Sequence, residues 1–173
     1  MKSSIFLMLL TPLLLSGGYI FAAETADPAN LPLHITSDVM TSDQSAAIVE
    51  FSGNVVATRD DGTIHADFLK VFFAGKSVKA GEKQSIDRIE ATGNVIYEAE
   101  NRKAYSDKAV YKVKDQVLVL TGEAPRVDTG SSFVTGKTIT LYRLSGKVLV
   151  EGGSKQRVEA QFNPQELKKK SGN

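Results

Sequence analysis

Across 173 residues, 21 Lys and Arg stand against 20 Asp and Glu, and cysteine is absent. So balanced a charge gives no basic footprint for nucleic acid. The missing cysteines exclude a disulfide framework, a lipidated Cys at the N-terminus and Cys-based metal or nucleophile chemistry.

Taken in chain order, the first segment predicts export. Lys2 gives a positive start, Ile5 to Leu15 an apolar stretch broken by Pro12, and Gly17-Gly18 and Ala22-Ala23 the small residues of a cleavage site. Cleavage is expected after Ala22 or Ala23. The alternative is an uncleaved anchor, since Ile5 to Ala23 is nearly long enough to span a bilayer. Pro12 and the Gly pair count against it. Residues 1–22 are therefore read as a cleaved signal peptide and 23–30 as a flexible N-terminal segment. Residues 31–162 form one β domain, and 163–173 a basic disordered tail ending in Lys168-Lys169-Lys170-Ser171-Gly172-Asn173. Removing the signal leaves 151 residues, enough for one core without disulfides.

Within the domain two short motifs alternate. One is an apolar-x-small-Asp box, at Ile35-Thr36-Ser37-Asp38, Ile64-His65-Ala66-Asp67 and Ala104-Tyr105-Ser106-Asp107. The other is a strand running into Gly, at Gly53, Gly93, Gly122 and Gly152. Asp38 and Asp67 are 29 apart, as are Gly93 and Gly122, and both Gly53 to Asp67 and Gly93 to Asp107 span 14. The step from Asp67 to Asp107 is 11 longer than that repeat, and a polar Gly/Lys loop at Ala74–Gln84 absorbs it. In the third unit Gly136-Lys137 stands where the Asp box is due. Val, Ile, Thr, Tyr and Phe recur at period two, and turn residues such as Asp60-Asp61-Gly62 and Ser145-Gly146-Lys147 punctuate them. No helical stripe is present. The fold class is all-β: repeated short antiparallel strands stacked around one apolar interior, with an open edge at each end. Many inward candidates are small, among them Ala57, Ala66, Ala91, Ala99 and Ala109, so the interior either leaves room for a ligand or closes as a filled sandwich.

Leu33-His34-Ile35-Thr36-Ser37-Asp38, Val49-x-Phe51-Ser52-Gly53-Asn54-Val55, Ile64-x-Ala66-Asp67 and Val117-Leu118-Val119-Leu120-Thr121-Gly122 resemble the OstA-like repeats of the periplasmic lipopolysaccharide-transport proteins. The resemblance covers roughly residues 31 to 151. It implies an open, twisted β-jellyroll that holds the acyl chains of lipopolysaccharide, without cofactor or chemistry, and assembles head to tail. The implied partners are a membrane-anchored LptC-like protein at the N-terminal edge, an outer-membrane LptD-like translocon at the C-terminal edge, and further copies of the chain itself. It places lining positions at Leu33, Ile35, Tyr111 and Val113, with an aromatic of the family falling near Ile96. With the strand alternation, the expected groove residues are Leu33, Ile35, Val49, Phe51, Val55, Ile64, Phe68, Ile96, Tyr111, Val113, Leu118, Leu120, Ile139 and Leu141.

Other chemistry is poorly supported. The two histidines, His34 and His65, each lie between apolar strand residues and are expected on the outer face. Asp60-Asp61-Gly62 reads as a hairpin turn rather than a calcium loop, and Asp38, Asp67 and Asp107 as turn or capping residues. Two readings compete with the soluble carrier: an anchored LptC-like partner, and a lipid-free β-solenoid scaffold.

Overall fold

The computed structural model describes residues 32–59, 62–75 and 85–164. The signal segment, residues 23–30, most of the expected loop at 74–84, Asp60-Asp61 and the basic end of the tail lie outside them. The named elements are all strands: β1 (Leu33–Thr36), β2 (Val39–Asp43), β3 (Ile48–Arg59), β4 (Gly62–Phe73), β5 (Ile86–Ala99) and β6 (Arg102–Lys112) come first. They are followed by β7 (Val117–Thr121), β8 (Arg126–Thr129), β9 (Ser132–Thr135), β10 (Thr138–Tyr142), β11 (Lys147–Glu151) and β12 (Glu159–Gln161). All pairings are antiparallel within one sheet. Short turns between neighbouring strands make this arrangement natural for a chain whose apolar residues alternate at period two.

That sheet is divided into two halves. β1 lies along Val56–Arg59 of β3, while β2 lies along Ile48–Ser52 of the same strand. At the other end β8 lies along Arg102–Tyr105 of β6, and β7 along Lys108–Lys112. β9 and β12 extend the first half, and β10 and β11 the second. β3 to β6 are long enough to cross both halves, and each pairing among them breaks register at mid-strand. Side chains from both halves enter one apolar core, in which Leu69, Val113, Leu118, Leu120 and Ile139 are almost wholly buried. The molecule is thus a pleated sheet folded along a crease, with the halves face to face and a lip where they part.

The crease is where the two sequence motifs meet. Between Ser52 and Val55, two residues of β3 (Gly53 and Asn54) stand against one of β4, Asp67, and the same irregularity recurs at Gly93-Asn94 opposite Asp107. Gly53 and Gly93 have φ of 77° and 81°, and Asn54 and Asn94 follow at 47° and 45°. Gly and Asn are the residues that adopt this left-handed region at low cost, and a glycine-led bulge bends and twists its strand. The box aspartates lock the bend. Asn54 donates to Asp38 Oδ2 and Asn94 to Asp67 Oδ2, both at 2.8 Å, and the Glu123 amide donates to Asp107 Oδ2 at 2.6 Å. Each aspartate lies directly over the next glycine: a Cβ at Gly53 would come to 2.9 Å from Asp38 Cβ, and one at Gly93 to 2.9 Å from Asp67 Cβ. In the last unit Lys137 takes the aspartate's place. Its stem lies over Gly153, and its Nζ donates to the Gly122 carbonyl at 2.7 Å.

Candidate functional site

The inward faces follow from period-two alternation, with one twist that the boxes introduce. Before Asp67 the inward residues of β4 are Gly62, Ile64 and Ala66; after it they are Leu69, Val71 and Phe73. β6 changes in the same way at Asp107, from Ala104 to Ala109 and Tyr111. The Gly-Asn pairs of β3 and β5 do not change the parity: Phe51 is followed by Val55 and Ala57, and Ala91 by Val95 and Tyr97.

Two expected groove residues therefore point away. Phe68 continues the alternation of Ile64 and Ala66 only if Asp67 is ignored; it lies on the outer face, 57% exposed, opposite Thr92, while its neighbour Leu69 is buried. Ile96 sits between the inward Val95 and Tyr97 and pairs on the outer face with His65 and Tyr105. In a strand, a displacement of one residue exchanges the faces completely. The inward aromatic of β5 is Tyr97. The other expected positions face inward. Val55, Tyr111, Val113, Leu118, Leu120, Ile139 and Leu141 are buried, Leu33, Ile35, Phe51 and Ile64 pack against them half-buried, and Val49 lies opposite the buried Val71. The histidines are outward, His34 exposed and His65 half-buried on the outer face.

Open space is concentrated at the lip. A cavity of about 140 Å³ is lined by Tyr97, Ala99, Ala104 and Val127 of one half and by Leu118, Leu141 and Tyr142 of the other, with Glu100, Arg102, Arg143, Gly146 and Lys147 at its rim. A second space of about 30 Å³ lies beside it, between Leu33, Ala57, Ile64, Ile89, Tyr111 and Leu118, with Arg59 and Arg143 also on its lining. Tyr97, Leu118 and Arg143 belong to both. Of the expected lining residues, Leu33, Ile64, Tyr111, Leu118 and Leu141 thus border open space, and the other inward ones pack behind it. Tyr97, Arg59 and Arg143 were not foreseen. Arg59 and Arg143 stand at strand ends, where a charged residue reads by default as solvated surface, yet Arg59 is only 8% exposed.

A small cavity between two sheet layers, apolar within and charged at its rim, is the candidate binding site among the described residues. Comparison with known proteins gives the family: the chain belongs to the LptA/LptD N-terminal domain family of lipopolysaccharide transport proteins, whose family model matches residues 34–147. It is 26% identical over 169 residues to a lipopolysaccharide export system protein LptA of Haemophilus influenzae, covering 96% of this chain and 95% of that protein. The LptA of Escherichia coli K12 is 27% identical over 176 residues, covering 98% of this chain and 90% of that one. An uncharacterised protein of Rickettsia prowazekii is 31% identical over 124 residues, 70% of this chain and 81% of its own length. The fold matches the crystal structure of LptH, the LptA-homologous periplasmic component of the lipopolysaccharide transport device of Pseudomonas aeruginosa. There the TM-score is 0.67 at 16% identity, over 80% of this chain and all of that one.

Proposed function

We propose that this chain is a periplasmic carrier that holds the acyl chains of lipopolysaccharide between the two layers of its folded sheet and passes them on without chemistry. The observation that carries this reading is the apolar cavity at the lip, lined from both halves, in a member of a lipopolysaccharide-transport family. Each methylene withdrawn from water contributes roughly 0.8 kcal/mol, so a chain of about ten is worth on the order of 8 kcal/mol. Several such chains would not escape into water at a useful rate. Release must then be direct, from one apolar groove into the next.

Head-to-tail stacking supplies that route. β2, with Val39 and Met40 exposed, closes the N-terminal edge beside β1, and β11, with Val148 and Leu149 exposed, closes the C-terminal edge. An edge strand at each end, paired on one side only among the described residues, suits strand addition by an LptC-like anchored protein at the first, an LptD-like translocon at the second, and another copy of this chain at either. Residues 1–22 serve in this reading as an export signal that is removed, which the mass of the mature protein checks. A chain retaining that segment would instead be the anchored partner.

The carrier reading is tested by photo-crosslinking in the periplasm. A photoreactive residue at Tyr111 or Leu118 should label lipopolysaccharide, and one at the outward Lys112 should not. The lipid-free scaffold has the close packing of the core in its favour. Labelling from Lys112 with none from the two inward positions would establish it instead.

A further inference from the structure

Over much of the outer face, basic side chains sit against carboxylates. Lys70 lies 2.7 Å from Glu50, Lys103 2.6 Å from Glu98 and Arg126 2.6 Å from Asp128, while Arg88 and Lys108 share Glu90. One corner of the second half differs. Lys112, Lys114 and Lys147 are exposed there and form no ion pair among the described residues. The topology brings them together. Lys112, Val117, Tyr142 and Lys147 are successive partners across β6, β7, β10 and β11, a row of about 14 Å at ordinary strand spacing. The turns beyond the row lie side by side, since the Arg143 amide donates to the Gln116 carbonyl at 3.0 Å. Asp115 is the single carboxylate in the two turns. Leu144 stands in the second of them, 75% exposed, more than any other large apolar residue described.

A single exposed leucine is ordinary. A leucine at a turn tip among lysines that lack carboxylates is the pattern of a lipid contact: the lysines meet headgroup phosphates while the apolar tip reaches towards the acyl boundary. An acidic protein face would need a pocket shaped to receive one protruding leucine, whereas a bilayer receives it anywhere. We propose that the corner formed by the β6–β7 and β10–β11 turns docks on a bilayer surface containing anionic phospholipid. Leu144 enters the headgroup layer, Lys114 and Lys147 lie against the phosphates, and Lys112 on the adjoining outer face adds to the field. Arg143 is engaged within the fold, and the contact does not require its charge. The same hairpin borders the larger cavity through Tyr142, Gly146 and Lys147, so docking would set the mouth of the groove at the membrane. This goes beyond the carrier reading and stands without it.

Flotation of the mature chain with vesicles tests the contact. Vesicles of phosphatidylcholine mixed with phosphatidylglycerol should carry the protein, and vesicles of phosphatidylcholine alone should not. The two kinds have the same acyl chains, so uptake by the groove would not separate them. Molar salt, which shortens screening to about 3 Å, should release the protein. Leu144→Ser should weaken binding about tenfold. Lys114→Gln and Lys147→Gln should each weaken it about fivefold. All three positions are exposed, so melting temperatures should not move. Lys103→Gln, an equal loss of charge on the outer face of the first half, should leave vesicle affinity unchanged.

Equal binding to both kinds of vesicle would overturn the docking corner and mean that the groove holds the lipid. Binding to neither would overturn it too, leave the carrier reading untouched, and make an acidic protein face the partner of the lysines. Leu144→Ser binding as wild type does, or Lys103→Gln losing as much as Lys147→Gln, would reduce the contact to diffuse charge attraction, against the proposal.

Discussion

At the scale of the residue, the Asp–Gly pairs at the crease carry the most specific consequence. Gly93 combines a left-handed φ of 81° with close approach by Asp67, whereas Gly146 has φ of 66° and nothing within 4 Å of where a Cβ would stand. Gly146→Ala should therefore cost only the backbone penalty, about 1–2 kcal/mol. Gly93→Ala should cost that plus the clash with the aspartate, on the order of 1–3 kcal/mol more. In an Asp67→Gly background both the carboxylate and the Cβ at 2.9 Å are gone, and Gly93→Ala should fall back to the Gly146→Ala value. Urea melts of the four variants measure the coupling; additive costs would mean the aspartate does not brace the bend. Both motifs and their spacing were legible in the sequence, as was a structural rather than catalytic role for the aspartates. Their meeting was not, because Asp38 touches Gly53 and Asp67 touches Gly93 across strands, and spacing along a chain does not state which repeat pairs with which. A box aspartate explains one of the two outward positions, since it shifts the alternation by one and Phe68 lies immediately after Asp67; Ile96 lies on β5, where the parity is unbroken, one residue from the inward Tyr97.

At the scale of the element, the outer face of β5 and the two edge strands make separate predictions. Glu90 accepts a hydrogen bond from Arg88 Nε at 2.9 Å and lies 3.3 Å from Lys108 Nζ on β6. The Arg88 hydrogen bond, with a smaller contribution from Lys108, holds its carboxyl below the ordinary 4.5 against an opposing effect of partial burial. A depressed folded value means the stabilisation is present above the unfolded value and disappears as pH falls through the folded one. Glu90→Gln should thus cost roughly 0.5–1 kcal/mol at neutral pH, an amount limited by solvent screening. Wild type and variant should converge as pH drops from about 4.5 downward, and a gap unchanged at pH 3 in thermal melts would contradict the pairing. At the N-terminal edge β2 is exposed along its whole length and carries no lysine to block pairing. Ile35, an obvious first choice for a charge, packs against the core, so a lysine there would confuse folding with association. Met40, 59% exposed, is the cleaner probe. Met40→Lys should lower the concentration-dependent mass in light scattering without moving the melting temperature by more than a degree or two. A mass unchanged across concentrations would exclude the β2 edge from self-association. The repeated short antiparallel strands could be anticipated from the sequence. The splitting of β6 between β7 and β8, which folds the sheet in two, could not, since it depends on where a break in alternation becomes a bend.

At the scale of the whole molecule, the cavity and the proposed cargo differ in size. About 140 Å³ is comparable to an engineered cavity that accepts benzene, far less than several acyl chains require. The core behind it is filled by Leu69, Leu118, Leu120 and Ile139, each almost wholly buried. Loading must therefore part the two halves at the lip. The crease is the natural hinge: its bulges interrupt the ladder hydrogen bonds, so the halves can separate there with the pairing within each half intact. Ala99 and Tyr142 line the cavity from opposite halves, and the chain has no cysteine of its own. Ala99→Cys with Tyr142→Cys, bridged by a short cleavable bis-thiol reagent, should lose uptake of a fluorescent acyl probe almost completely. Cutting the bridge should restore it, and either single variant treated with the reagent should bind as wild type does. Lipid binding that survives the bridge would mean the chains enter elsewhere, at an edge between stacked copies, and the lip would then be a seam in a rigid fold rather than its door.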